Sequence, residues 1–276
     1  MAVILVTGAT SGIGRDAAQR LARAGHRVLV GGRRPAALAE LAAAAAGRLE
    51  PLPLDVADAG SVAAARAEVD RRTAGGGLDV LVNNAGYALP GPLETLTEAD
   101  LRALFDTNVF GMLAVTRAFL PRMRERGAGR VVNVGSVMGR VTMPLLGAYN
   151  ASKYAVVALT DALRMELAPF GVRVVLVEPG AIHSAFTARA LERLARYRDP
   201  GSPYADAVAG TAAAWERVYR FAAAPAAASR AIERAATASR PAARYVVPAS
   251  YRALPAALAL TPVRLADAAK RRVMGW

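Results

Sequence analysis

Residues 2–14 read Ala2-Val3-Ile4-Leu5-Val6-Thr7-Gly8-Ala9-Thr10-Ser11-Gly12-Ile13-Gly14. The apolar run Ala2–Val6 has the length and branching of a buried strand, and it ends in a glycine-rich turn. A helical pattern over 13–24 follows at once. Strand, glycine turn and helix in this order make the phosphate cradle of a doubly wound α/β sheet. Gly8 permits the tight turn, Gly12 lets the backbone approach a pyrophosphate, and Gly14 lets the helix lie against the strand. Ser11 and Ile13 stand between them at the mouth of the helix, whose free N–H groups and positive dipole end suit an anion.

The same alternation continues along the chain. Strand-like runs stand at Ala2–Val6, Arg27–Val30, Arg48–Leu54, Asp79–Val82, Gly129–Val134, Val172–Val177 and Arg244–Val247. Helical patterns lie between them near 13–24, 35–46, 59–74, 98–125, 149–169 and 225–238. Nearly continuous Val/Leu/Ile strands are buried on both faces, and alternation with helices predicts parallel crossovers. The expected fold is α/β, a doubly wound parallel sheet of seven strands, in one dinucleotide-binding domain over 1–276. Two stretches break the rhythm. Residues 183–224 are helical in composition but cut by Pro200, Gly201 and Pro203, and are expected to sit over the crevice as a lid. Residues 250–276 carry Pro255 and Pro262 and are expected to pack as short helices at the edge.

Composition narrows the classes. The chain has 276 residues, a net charge of +13 and no cysteine. Disulfides, thiolate metal sites and a cysteine nucleophile are excluded. His26 and His183 are the only histidines and no compact carboxylate cluster accompanies them, so no metal site is expected. His183 itself is expected near the lid or at the surface rather than in an acid/base role. The positive charge is almost all arginine, spread singly rather than gathered into a stripe with aromatics, which argues against a nucleic-acid partner. The first strand starts immediately, without a signal peptide, and no apolar run reaches the length of a membrane span. A cytoplasmic protein is expected.

A second constellation lies downstream. Ser136 ends an apolar run, and Tyr149 and Lys153 are four apart on one helix face. A phenol titrates at about 10, too high for a base at neutral pH. A neighbouring ammonium favours the phenolate, so Lys153 is expected to lower the pKa of Tyr149 and make it a general acid/base. Asn83-Asn84-Ala85-Gly86 ends the fourth strand, Asn108 lies in the helix after it, and Pro179-Gly180 follows the sixth.

Taken together and in order, these motifs resemble the short-chain dehydrogenase/reductase family, with its T-G-x-x-x-G-I-G turn, N-N-A-G, serine and Y-x-x-x-K. The resemblance spans roughly residues 2 to 186. It implies a nicotinamide cofactor lying along Gly8, Ser11, Gly12, Ile13, Gly14, Asn84, Ala85, Gly86, Pro179, Gly180, Ile182 and Ser184. By the same resemblance Ser136 holds the substrate oxygen, Lys153 binds the nicotinamide ribose, and Asn108 holds a water that relays protons to Lys153. It implies a homodimer or homotetramer through the helices near 98–125 and 149–169. Asp55-Val56 would lie near the adenine; a turn or helix-capping role for Asp55 is equally open.

At the end of the second strand, where an acid would bond the ribose 2′-OH of NAD, the chain has Gly32 followed by Arg33 and Arg34. A guanidinium clamps a phosphate, so NADP(H) is expected to be preferred over NAD(H), unless these arginines are merely solvated. The stretches after Ser136 and Gly86 are largely apolar, which points to a small hydrophobic ketone or secondary alcohol. The expected function is an NADP(H)-dependent carbonyl reductase or secondary-alcohol dehydrogenase. The alternatives are an epimerase, dehydratase or other tailoring enzyme on the same site, or a non-catalytic NADP sensor.

Overall fold

The computed structural model describes residues 1–45 and 48–276. The apolar runs become β1 Val3–Thr7, β2 Arg27–Gly32, β3 Leu49–Pro53, β4 Val80–Asn83, β5 Gly129–Val134, β6 Val172–Pro179 and β7 Arg244–Val247. All neighbours pair in parallel, in the order β3-β2-β1-β4-β5-β6-β7. The strand order reverses at β1, so the crevice opens where Thr7 and Asn83 end their strands. Position 46, the end of the helix expected over 35–46, lies outside the described residues; the helix itself, α2, is Pro35–Ala43.

Alternation within the strands sorts two cores. Ile4, Val6, Val28, Val30 and Val82 face one side, under α1 (Gly12–Arg23) and α9 (Pro225–Thr237). Leu5, Leu29 and Leu81 face the other, under α3 (Ala59–Arg72) and α5 (Met112–Glu125). Each such fully buried side chain is worth about 1.5–3 kcal/mol, and the two-sided burial holds the strand ends in fixed positions.

The long helical pattern at 98–125 is interrupted. It runs as α4 (Glu98–Phe105), a π-helical turn (Asp106–Gly111) and α5. Gly111 is needed there, because a Cβ would lie 2.7 Å from the carbonyl oxygen of Val56. By length and composition Glu98–Glu125 would suffice to cross a membrane. Its Val115, Phe119 and Met123 are instead packed into the sheet's core. The next helix, α6, spans Gly147–Leu167 and so starts two residues ahead of the expected 149.

Between β6 and β7 the chain forms α7 (Ala185–Leu194) and α8 (Ala205–Arg220). The base of this insertion is stitched shut: His183 N–H donates to Ala223 O at 2.9 Å, and Ala223 N–H to Ala181 O at 3.1 Å. After β7 come α10 (Leu254–Leu260) and α11 (Val263–Val273). The end of α11 is fastened to α8. Gly210 and Gly275 meet backbone to backbone, with no room for a Cβ at 210, and the Trp276 indole donates to Thr211 Oγ1 at 3.2 Å.

Candidate active site

The glycine turn is closed from behind by the end of β4. Asn84 Nδ2 donates to Thr7 O at 3.0 Å and Gly8 O at 3.2 Å, and Thr7 Oγ1 accepts from the N–H groups of Asn84 and Ala85. Gly8 sits at φ 65°, and a Cβ there would come within 2.8 Å of Ala85 Cα. A Cβ on Gly14 would run into the Asn84 amide. Gly12, at φ 57°, faces outward, with only Ser184 Cβ nearby. The N-terminus of α1 has no side-chain cap from Ser11 and no acid in its first turn. Ser184 likewise begins α7 without a side-chain capping bond. Uncapped N–H groups, a positive dipole end and two hydroxyls around an open glycine fit the pyrophosphate of a dinucleotide.

Gly32 ends β2 beside this turn, and a Cβ there would lie 2.9 Å from Thr10 Cγ2. Arg33 and Arg34 are exposed and have no ion-pair partner among the described residues. Asp55 makes a local turn, its Oδ1 accepting from Ala57 N–H at 3.0 Å, while Asp58 caps α3. The turn role left open for Asp55 is therefore taken by one of its oxygens. Val56 is buried against Gly111.

Tyr149, Lys153 and Ser136 converge at the carboxyl end of β5. Tyr149 lies in the first turn of α6 and is 7% exposed. The Lys153 amine is 6.0 Å from the centre of its ring, donates to Val134 O at 3.0 Å, and approaches Gly86. The Ser136 hydroxyl donates to Pro179 O at 3.2 Å and accepts from Met138 N–H. Burial pushes the Tyr149 phenol above its ordinary value, with the Ser136 hydroxyl acting the other way. Burial also draws the Lys153 amine down to about 8. The expected lowering of the phenol by the ammonium is thus corrected: desolvation sets the direction of both shifts, and the ammonium is not among the causes acting on the phenol.

Asn108 sits in the π-helical turn. Both its N–H groups are taken, Nδ2 donating to Tyr87 O and Ser152 Oγ, each at 3.0 Å, and Oδ1 accepts from Tyr87 N–H. The side chain therefore fixes the loop after Gly86 and makes no bond to Lys153. Two residues inside the Tyr-Lys motif share this scaffolding, which motif matching passed over. Ser152 donates to Tyr149 O at 2.8 Å, and Asn150 Nδ2 donates to Met138 O and Val141 O, each at 2.8 Å. Beneath them Asn83 Nδ2 donates to Asn133 Oδ1 and Thr116 Oγ1, and Asn133 Nδ2 to Thr160 Oγ1. A polar residue ending one apolar run, at 83, and interrupting another, at 133, was the available signal.

The roof is apolar. Phe186 tilts against the Tyr149 ring, with centroids 5.9 Å apart, and Trp215, Leu146 and Met274 complete the cluster. Arg193 of α7 donates to Ala88 O at 3.0 Å and stacks over Tyr87, tying the insertion to the loop after Gly86. Ile182 is buried at the base of the insertion, His183 is exposed, and Gly180 lies under the Tyr251 ring.

The family model described as short chain dehydrogenase matches residues 2–195. The chain belongs to the short-chain dehydrogenase/reductase family of oxidoreductases. Among its relatives in this family, human 17-beta-hydroxysteroid dehydrogenase type 1 is 43% identical over 198 residues, 68% of this chain and 59% of that protein. Human retinol dehydrogenase 16 is 43% identical over 187 residues, 67% of this chain and 58% of that protein. The match thus spans about three fifths of the length of these relatives. A solved short-chain dehydrogenase from Streptomyces avermitilis superposes with a TM-score of 0.80 at 36% identity, covering 99% of this chain and 96% of that one. Short-chain dehydrogenases/reductases bind a nicotinamide cofactor, and neighbours were solved with either form. A serine dehydrogenase complexed with NADP+ has a TM-score of 0.75 at 29% identity, covering 89% of this chain and 94% of its own. A 3-ketoacyl-(acyl-carrier-protein) reductase from Brucella melitensis complexed with NADH has a TM-score of 0.74 at 26% identity, covering 89% and 96%.

Proposed function

We propose that the chain is an NADP(H)-dependent carbonyl reductase or secondary-alcohol dehydrogenase for a hydrophobic ketone or alcohol. The observation that carries this is the buried Tyr149 phenol, set beside Lys153 and Ser136 at the mouth of the crevice. Bound at the glycine turn, a nicotinamide dinucleotide supplies or accepts the hydride. The chain handles the oxygen and the proton. Ser136 holds the substrate oxygen and steadies the charge that develops on it, and Tyr149 gives that oxygen a proton in reduction or removes it in oxidation. Lys153 sets the field at the phenol.

Three features support the finer points. The end of β2 carries no carboxylate, since Gly32 stands there with its Cα close against Thr10, while Arg33 and Arg34 stand free to meet a 2′-phosphate. The walls around Tyr149 are Phe186, Trp215, Met138 and Met143, which favour a hydrophobic substrate, and the names of the relatives include hydroxysteroid and retinol dehydrogenases. Phe110, Tyr154 and Met165 leave apolar surface exposed on the π-helical turn and α6, as a homodimer or homotetramer through those helices requires. A cysteine-free chain suits the cytoplasm.

The test is a panel of ketones followed by NADPH absorbance, with dinucleotide affinity measured alongside. Tyr149→Phe should keep NADPH binding and lose turnover by on the order of 10²–10⁴-fold. Arg33→Ala should weaken NADPH binding far more than NADH binding. Wild-type turnover in the first variant, or equal losses in the second, would refute the corresponding assignment.

A further inference from the structure

We propose that the α10–α11 segment is a docking surface for an anionic lipid bilayer. Three large apolar side chains crowd its turn and stand in water: Leu260, Val263 and Leu265 are 87%, 73% and 63% exposed. Clustered apolar exposure of this kind marks a contact surface rather than ordinary solvent-facing chain. The segment is not a frayed tail. Pro255, Ala266 and Met274 are buried beneath it, Gly275 crosses Gly210, and Trp276 is bonded to Thr211, so the apolar tip is held outward by a fixed base.

Charge selects the occupant. Residues 250–276 carry Arg252, Arg264, Lys270, Arg271 and Arg272 against Asp267 alone. Asp267 is taken by Lys270 at 3.1 Å, and the four arginines have no ion-pair partner among the described residues. The segment is basic along its length, with Arg264 beside the apolar tip and Lys270, Arg271 and Arg272 in the last turn of α11, which complements acidic headgroups while the tip meets acyl chains, the arrangement that seats interfacial helices and that the cytoplasmic leaflet offers. A second copy meeting the tip with its own tip would bring two net-positive segments together, which opposes that pairing.

Position adds a reason. A cavity of about 710 Å³ lies between α11 and the loops before α6, with Arg264, Arg271 and Trp276 on one wall and Leu93, Met143 and Leu145 on the other. Met143 also packs in the cluster around Tyr149. Seating the tip in a bilayer sets this cavity at the lipid surface. A hydrophobic ketone, which rests on the function proposed above, then reaches the cavity from the lipid.

The experiment is co-sedimentation of the full chain with vesicles of phosphatidylglycerol and phosphatidylcholine, and of phosphatidylcholine alone. Salt is kept near the physiological level, where diffuse attraction reaches only about 8 Å. Wild type should bind the anionic vesicles and leave the neutral ones. The triple variant Leu260→Ser, Val263→Ser, Leu265→Ser keeps every charge and should lose binding by on the order of tenfold. Its substitutions sit in solvent, and its vesicle-free ketone turnover should equal that of wild type, so a failure of the docking idea is separable from a failure of the proposed chemistry. No anionic binding by wild type, or equal binding by the triple variant, would overturn the proposal. So would a loss of self-association in the variant by sedimentation velocity, which would assign the tip to a second copy.

Discussion

Tyr149 and Lys153 show how a pair of side chains is tuned by what lies over them. The phenol is held protonated by burial, and the amine is brought to about 8 by the same cause. Lys153 is therefore cationic below that pH and neutral above it. Carbonyl reduction needs a protonated phenol with a cation beside it. Its kcat should be level below about 8 and fall as pH rises through that value, while oxidation of the matching alcohol, which needs the phenolate that the same cation favours, gains nothing from the loss of that charge. Steady-state profiles of both directions at saturating substrate check this; a reduction profile flat through that region would show that Lys153 does not titrate there. The groups themselves were legible, because each stands at a fixed spacing in a motif. The sign of the phenol's shift was not. It depends on Phe186, Trp215 and Tyr219, which come from an insertion whose docking no local pattern reports.

The seven strands were legible because two-sided burial forces continuous runs of Val, Ile and Leu, and their ends moved by no more than two residues. The break in the helix at 98–125 was hidden, since a π-helical turn adds a residue without disturbing composition. Hidden too was the polar ladder that bolts α5 and α6 to the sheet, because Asn83, Asn133 and Thr160 are distant in sequence and meet only when β4 and β5 pair. All the side chains in it are buried, so an orphaned amide there is expensive. Asn133→Ala should cost about 1–3 kcal/mol of stability, read as a lower urea midpoint at unchanged slope, and should lower kcat by letting α6 shift. A midpoint equal to that of wild type would mean the ladder is dispensable.

Across the molecule, the two ends of the crevice are built from different parts of the chain. The nucleotide cradle draws on β1, α1 and the end of β4, whereas the roof over Tyr149 draws on α7, α8 and the segment after α11. Gly210→Ala places a methyl against the Gly275 carbonyl and should lift that segment from α8. The expected cost is about 1–3 kcal/mol in thermal stability, with a raised KM for ketone and an unchanged NADPH affinity. Equal damage to both affinities would show that roof and cradle are one unit. Because Met274 and Trp276 come after every other part of the site in this sequence, the roof over Tyr149 is the part that a growing chain on the ribosome completes last. The wall over the phenol therefore closes only once the last residues of this sequence are free to fold.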